Sequence, residues 1–233
     1  MDPLRIYIGW DSREDIAYQV ARQSLIRHAS IPVEVIPIKL PELVEQGLYT
    51  RDIDPLASTE FTYSRFLVPH LAGHEGWAVF VDCDFIFFGD VAELQQYMDP
   101  KYAVLCVQHD YTPKDEVKMD GKVQTSYPRK NWSSFMLMNC GHPSTRTLTP
   151  EVVNRESGAY LHRMQWARDE EIGALPTGWN WLEGWYDKPE TGYPQAVHHT
   201  RGGPWFENWQ HVDYAAEWLA EAEEYRRRSG AAA

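Results

Sequence analysis

Cysteine is scarce in this sequence: Cys83, Cys106 and Cys140 stand alone in 233 residues, widely spaced and without a CxxC pair. That sets aside a disulfide framework and a cysteine-based zinc site, and it points to a reducing compartment. Two of the three lie in apolar runs, where a thiol behaves as a small core residue. Positive charge is scarce as well, with 22 Lys and Arg against 34 Asp and Glu and a net charge of −12. A nucleic-acid partner is therefore not expected. The one basic run, Arg226-Arg227-Arg228, reads as a solvated helix end. No apolar run is long enough to span a bilayer, and Met1-Asp2-Pro3-Leu4-Arg5 does not read as a signal peptide. The expectation is a cytoplasmic protein, at most peripheral to the inner face of a membrane. There is no HExxH, no internal repeat and no low-complexity segment before the terminal alanines.

What is present is an ordinary globular composition, 43% hydrophobic and 24% charged, long enough to bury one sizeable core. The 10 Trp and 13 Tyr are less ordinary, and aromatic faces near a polar site serve as platforms for sugars or bases. The central stretch is Gly76 to Asp90. Its apolar run Ala78-Val79-Phe80-Val81 ends in Asp82-Cys83-Asp84, and a second apolar run follows. A continuous apolar run bounded by glycine fits a strand covered on both faces. Ionised carboxylates are costly inside such a sheet, so Asp82 and Asp84 belong at the strand's carboxyl end, where open α/β sheets gather ligands. Residues i and i+2 of an extended segment point the same way, so both carboxylates can face one hard divalent cation. An acidic turn at a strand end is the plain alternative.

Upstream, Arg5 to Gly9 predicts a first strand, Ser12 a helix N-cap, residues to His28 a helix, and Val33 to Ile38 a second strand. This is a βαβ opening with Asp11 in the loop where nucleotides are held. Pro41 to Pro55 is a polar connection with one short helix. Thr59 to Leu71 predicts an amphipathic helix in which Arg65 needs either a carboxylate or a phosphate as partner. Val91 to Met98 predicts a short helix, Tyr102 to Val107 a buried strand, and polar His109 to Arg129 a flexible flap or acceptor-side segment. Asn131 to Cys140 predicts another strand. Thr149-Pro150 is a cap with proline at the first helical position, followed by a helix to about Tyr160 and a second over Leu161 to Gly173. The second ends in Asp169-Glu170-Glu171, acid placed against the macrodipole. The loop His198-His199-Thr200-Arg201-Gly202-Gly203-Pro204-Trp205 suits close approach of backbone to an anion. A helix near 211–228 closes the chain.

Two carboxylates plus one imidazole suit Mn²⁺ or Mg²⁺ bridging a diphosphate. With Tyr63-Ser64-Arg65 before the strand ending in Asp82-Cys83-Asp84, the Asp169-Glu170-Glu171 cluster before Leu175-Pro176 and Trp179-Asn180, and the late histidine loop, the chain resembles nucleotide-diphospho-sugar transferases of the GT-A fold. The likeness is to the family-eight group that includes glycogenin and bacterial lipopolysaccharide galactosyltransferases. It runs from the first strand through Trp205 as an order of segments.

The resemblance implies a single α/β GT-A domain with a mixed central sheet flanked by helices. Residues 1–107 would form the nucleotide-binding half and 131–205 the acceptor and sugar half. It also implies that Asp82, Asp84 and His199 hold the metal, with His198 as the alternative third ligand. Asp11 would meet the uracil or ribose. Tyr63, Arg65, Arg201, Gly202 and Trp205 would attend the donor's sugar and phosphates, Arg201 standing in for the family's lysine. Ser134, Asp169, Glu171 and Trp179 would contact the sugar, and Glu170 would either orient it or act as a nucleophile. Here Trp132-Ser133-Ser134 departs from the family's Asn-x-Gly, where the donor sugar is often read. The implied activity is transfer of a hexosyl group from a nucleotide-sugar, UDP-linked, to a carbohydrate or glycolipid acceptor with retention. A sugar nucleotidyltransferase is one alternative, although Gly9-Trp10-Asp11-Ser12-Arg13 is a poor phosphate loop. A non-catalytic nucleotide-sugar-binding protein is the other.

Overall fold

The computed structural model describes residues 2–52, 57–110 and 128–230. Six strands make the main sheet in the order β2-β1-β3-β6-β5-β7. They are β1 (Leu4–Gly9), β2 (Val33–Ile38), β3 (Trp77–Val81), β5 (Val104–Cys106), β6 (Phe135–Asn139) and β7 (Ile172–Ala174). Strand β6 runs antiparallel to both its neighbours, and every other pairing is parallel, so the sheet is mixed. Strand β3 lies centrally, and Ala78, Val79, Phe80 and Val81 are all buried, as its unbroken apolar run requires. A smaller sheet has the order β4-β9-β8, from β4 (Phe85–Phe87), β9 (Ala196–His198) and β8 (Trp181–Leu182).

Helix α1 (Asp15–His28) is fastened to the small sheet: Phe87 N donates to Ser24 Oγ at 3.1 Å, and Ser24 Oγ donates to Val20 O at 2.8 Å. The C-terminal helix (Ala215–Ser229) lies on α1, where Arg27 Nε meets Glu221 at 2.9 Å and its Nη2 meets Glu224 at 2.9 Å. Between them Ala17, Val20, Ile86, Val197, Tyr214, Trp218 and Ala222 form a second apolar cluster. No helix among the described residues is long and apolar enough to cross a membrane.

Several expected elements differ. Helix α1 starts later than Ser12, because Ser12 Oγ donates to Glu60 at 2.5 Å and Glu14 takes the N-cap position. The connection after β2 holds α2 (Leu40–Glu45). The helix expected over Thr59–Leu71 is a 3₁₀ turn at Ser64–Leu67 followed by α3 (Val68–Leu71). Pro69 has no N–H to give Arg65 O, so an α-helix cannot run through it and a new one begins at Val68. Thr149 caps α4 (Pro150–Arg155) as expected, and Ser157 caps α5 (Gly158–His162). The helix expected over Leu161–Gly173 does not form. Met164 takes a left-handed φ of 52°, which stops α5, and Ile172 pairs with Val104 as β7. The expected flap lies mostly in residues 111–127, outside the described residues.

Candidate functional site

The Asp-x-Asp segment leaves β3 at its carboxyl end and is pinned by backbone on both sides. Asp82 N donates to Ser134 O and His199 N donates to Asp84 O, each at 2.9 Å. Cys83 between them points into the core, and burial pushes its thiol far up. The two carboxylates meet the imidazole of His198, and one ligand atom from each of Asp82, Asp84 and His198 lies within 4.8 Å of the others.

Each of the three side chains is held from behind. Arg65, 5% exposed, donates from Nη1 to Asp82 Oδ1 at 2.7 Å and to Ser133 O at 2.9 Å. Its guanidinium lies between the rings of Phe61 and Phe80, at 5.2 and 5.1 Å. The partner it needs is thus a carboxylate, and that carboxylate belongs to the site. His198 stacks on Phe85 at 4.4 Å, and its Nδ1 lies 2.9 Å from Asn180 Oδ1. The amide oxygen can only accept, so the proton sits on Nδ1. Asn180 Nδ2 donates in turn to Ser134 Oγ at 2.9 Å and Asn131 O at 3.1 Å. His198 Nε2 faces Asp84 Oδ2 at 3.2 Å. Burial raises the Asp84 carboxyl, but the charge and hydrogen bond of His198, with His199 beyond, bring it below the ordinary carboxylate range. Asp84 Oδ1 is buried and has no hydrogen-bond partner among the described residues. Two carboxylates and an imidazole with its ring orientation fixed make a donor set suited to a divalent cation of the Mn²⁺ or Mg²⁺ kind, and the orphaned Asp84 oxygen is a place for one.

His198 therefore replaces His199 as the third member of the group. Successive side chains of β9 alternate in direction, so His199 turns to the other side, edge-on to Trp205 at 6.3 Å. It is fully buried, which lowers its imidazole to about 4. Trp205 itself packs on Trp218 at 5.4 Å. Arg201 is engaged by the buried Glu183 at 3.2 Å and lies over Trp209 at 5.5 Å. Its guanidinium fills the space above Gly184, which has a φ of 70° and no room for a Cβ. The Gly202 amide donates to His199 O at 2.9 Å, so it closes a turn instead of facing an anion.

Other expected residues are placed differently. Asp11 is fully buried, with both oxygens taken by the Arg13 guanidinium at 2.8 and 2.7 Å and by the Arg13 and Glu60 amides. Burial pushes its carboxyl up, these bonds outweigh that, and the net direction is down. It organises the loop and offers no open oxygen to a nucleoside. Trp179 is 1% exposed against Phe135, a core residue and not a sugar platform. Ser134 Oγ donates to Asn131 O at 2.7 Å and accepts from Asn180, so its hydroxyl is spent in the frame. Tyr63 lies beneath the Arg51 guanidinium at 4.0 Å.

The acidic trio is the largest correction. Ile172 is level with Val104, which is level with Met138, which is level with Ala78. Asp169, Glu170 and Glu171 thus sit at the amino end of β7, about 15 Å down the strands from Asp82. Asp169 pairs with Arg129 at 2.6 Å and Glu170 with Arg168 at 3.1 Å. Glu171, 6% exposed, accepts from Ser144 Oγ at 2.7 Å and from Arg168 N and Nε at 3.0 and 2.9 Å. The Ser144 bond, helped by Arg168, lowers its carboxyl to about 2. What approaches Arg65 instead is α5: His162 Nδ1 lies 2.8 Å from Ser133 Oγ, and its ring meets Phe66 edge-on at 5.1 Å.

Comparison with known proteins fits this geometry. No family model matches the sequence. Among solved structures, apo GlyE of Streptococcus pneumoniae TIGR4 superposes with a TM-score of 0.64 at 15% identity, over 98% of this chain and 64% of that one. The bifunctional glycosyltransferase WbbM gives 0.67 at 15% identity, over 97% of this chain and 51% of that one. The galactosyltransferase LgtC, bound to donor and acceptor sugar analogues, gives 0.56 at 11% identity over 95% and 96%. The chain thus spans less than two thirds of the length of GlyE and WbbM, and at such identities the likeness establishes the GT-A fold. In sequence, Protein CDI of Arabidopsis thaliana is 56% identical over 230 residues, which are 97% of this chain and 89% of that protein. With that identity over nearly its whole length, the chain belongs to the family of Protein CDI.

Proposed function

We propose that this protein is a metal-dependent glycosyltransferase. It moves a hexosyl group from a nucleotide-sugar, UDP-linked, to a carbohydrate or lipid-linked acceptor, with retention at the anomeric carbon. The observation that carries the metal is the buried Asp84 Oδ1, unmatched among the described residues, beside Asp82 and a His198 whose Nδ1 is tied to Asn180. Asp82, Asp84 and His198 would hold Mn²⁺ or Mg²⁺, which neutralises charge on a departing diphosphate.

The chain's own residues supply the rest. Arg65 fixes the direction of Asp82 and offsets part of the site's negative charge. By holding one proton at Nδ1, Asn180 makes Nε2 of His198 the nitrogen that would give up its proton and offer a lone pair to the metal. Arg201, two residues past His199, takes the donor phosphates by exchanging its contact with Glu183 for them. Retention is carried by the resemblance. With Glu170 at the far edge of the sheet, it favours attack on the face the diphosphate leaves, with the acceptor's proton passing to the departing phosphate, over a covalent adduct on Glu170.

The test is a thermal-shift panel of UDP, GDP, CMP and their hexose conjugates, each with and without Mn²⁺, followed by donor hydrolysis assays. Stabilisation that needs both the metal and one nucleotide supports the reading and names the base. If no nucleotide raises Tm under either condition and no donor is hydrolysed, the reading fails.

A further inference from the structure

Beyond the carboxylates lies a second buried polar group. His109 follows β5, whose Cys106 is two strands across from β3 in the same sheet. Counting from the register, His109 reaches the edge that carries Asp82 and Asp84, about 10 Å to the side. Its backbone is tied to the turn that frames the metal group, because Trp132 Nε1 donates to His109 O at 3.2 Å. The ring is 6% exposed, and its Nδ1 lies 2.7 Å from the hydroxyl of Tyr186. The other nitrogen, Nε2, is buried and has no partner among the described residues. The Tyr186 ring also lies 5.0 Å from Trp181, whose buried indole N–H is likewise unmatched among the described residues.

A buried hydrogen-bonding nitrogen left unmatched is costly, and here it sits among aromatic faces next to a proposed donor site. We propose that His109, oriented by Tyr186, is a recognition group for a sugar hydroxyl. The inference rests on the glycosyltransferase reading for the carrier of that hydroxyl. The chemistry of these side chains favours a neutral ligand over a phosphate or carboxylate. Burial, with the nearby charge of His198, lowers the His109 imidazole to about 3, so at neutral pH it brings no positive charge to attract an anion. Burial also raises the Tyr186 phenol, which stays protonated and free to share a hydrogen with Nδ1. A hydroxyl, able to donate or accept, matches Nε2 in either tautomer. The aromatic rings of Trp181 and Tyr186 supply the apolar faces that a pyranose ring packs on.

The hydroxyl can come from the donor's hexose or from the acceptor, and an isotope-labelled histidine NMR titration separates them. His109→Gln assigns the His109 ring resonance. The full chain with Mn²⁺ is then titrated with UDP, with UDP-glucose and UDP-galactose, and finally with glucose, galactose or mannose added to the UDP complex. A shift with the sugar nucleotides but not with UDP places the donor hexose at His109. A shift only with free hexose places the acceptor there. In the donor case, His109→Phe should weaken sugar-nucleotide binding about 3- to 10-fold while leaving UDP affinity unchanged. In the acceptor case it should raise the half-saturating hexose concentration by the same factor. If UDP binds and the His109 ring responds to no sugar, the proposal is overturned and Nε2 holds only water. If UDP itself does not bind, the UDP-donor reading falls instead, and the free hexoses added to the metal-loaded protein still decide His109: a silent ring overturns it, a shifting ring upholds it.

Discussion

One sheet carries acidic clusters at both of its edges, and they are built to opposite ends. At the carboxyl end of β3, Asp82 meets the Arg65 guanidinium and Asp84 the His198 imidazole, and among the described residues the buried Asp84 Oδ1 is without a partner. At the amino end of β7, Glu171 receives an O–H and two N–H bonds, and its neighbours Asp169 and Glu170 pair with surface arginines. The second cluster is complete as it stands and braces β7. In the first, Asp84 Oδ1 is unmatched among the described residues, which suits it to be a cation ligand. Charge count alone does not tell the two apart; the unmatched Asp84 oxygen does.

The sharpest way to break this contrast is Asp84→Ala. The stabilisation by Mn²⁺ with nucleotide should vanish, and donor turnover should fall at least ~100-fold, equivalent to about 3 kcal/mol in the barrier. In metal-free protein the Tm should fall only slightly, because alanine removes the His198 contact together with a desolvated oxygen that is unmatched among the described residues. A metal-free protein that unfolds on this substitution would show that Asp84 is structural, as Glu171 is. Next in size is Asn180→Ala. Without the amide oxygen the His198 ring is free to turn and to place its proton on Nε2, so Mn²⁺ affinity should drop roughly 10- to 100-fold. Calorimetric titration with Mn²⁺ checks this, and unchanged affinity would remove His198 from the ligand set.

At the other edge, Glu171→Gln should leave Mn²⁺ binding and turnover intact and cost about 1.5–3 kcal/mol of stability. The cost should depend on pH. The folded carboxyl is lowered to about 2 from an ordinary 4.5, so its contribution is present in full above about 4.5 and is lost as pH falls toward 2. Wild-type and variant melting curves should therefore differ at pH 7 and converge near pH 2. Parallel curves throughout would mean that the hydrogen bonds from Ser144 and Arg168 do not favour the ionised form.

The sequence made some of this legible and hid the rest for physical reasons. The β1–α1–β2 unit, the buried β3 and the Thr149 cap are local patterns, where periodicity and side-chain chemistry act within a few residues. Asp82 and Asp84 were legible because a strand's end forces carboxylates out of its core. The choice between His198 and His199 was not, since it depends on which face of a three-residue strand meets Phe85. Asn180 stood in view after Trp179 without a role, because its partners His198, Ser134 and Asn131 are remote in the chain. Asp169 to Glu171 misled for the same reason: acid before a Leu-Pro segment looked like a sugar contact until strand pairing set it at the wrong edge. His109 was legible only as the first residue of a polar flap or acceptor-side segment, since its partner Tyr186 is remote in the chain.

Glu170→Gln gives the smallest expected effect and tests that last correction directly. A nucleophile at the anomeric carbon could not lose its charge without near-abolition of transfer. Glu170 instead lies two thirds exposed beside an equally exposed Arg168, at the sheet edge away from Asp82. An ion pair of that kind contributes little, since water and salt screen both partners and the long side chains lose freedom in forming it. Turnover, donor affinity and retention should match wild type, and Tm should move by no more than about 1 °C. A collapse in turnover with Tm unchanged would place Glu170 at the reacting carbon after all. The two edges of the sheet would then have to come together in the working enzyme, and the contrast between a finished and an unfinished acidic cluster would dissolve into one site.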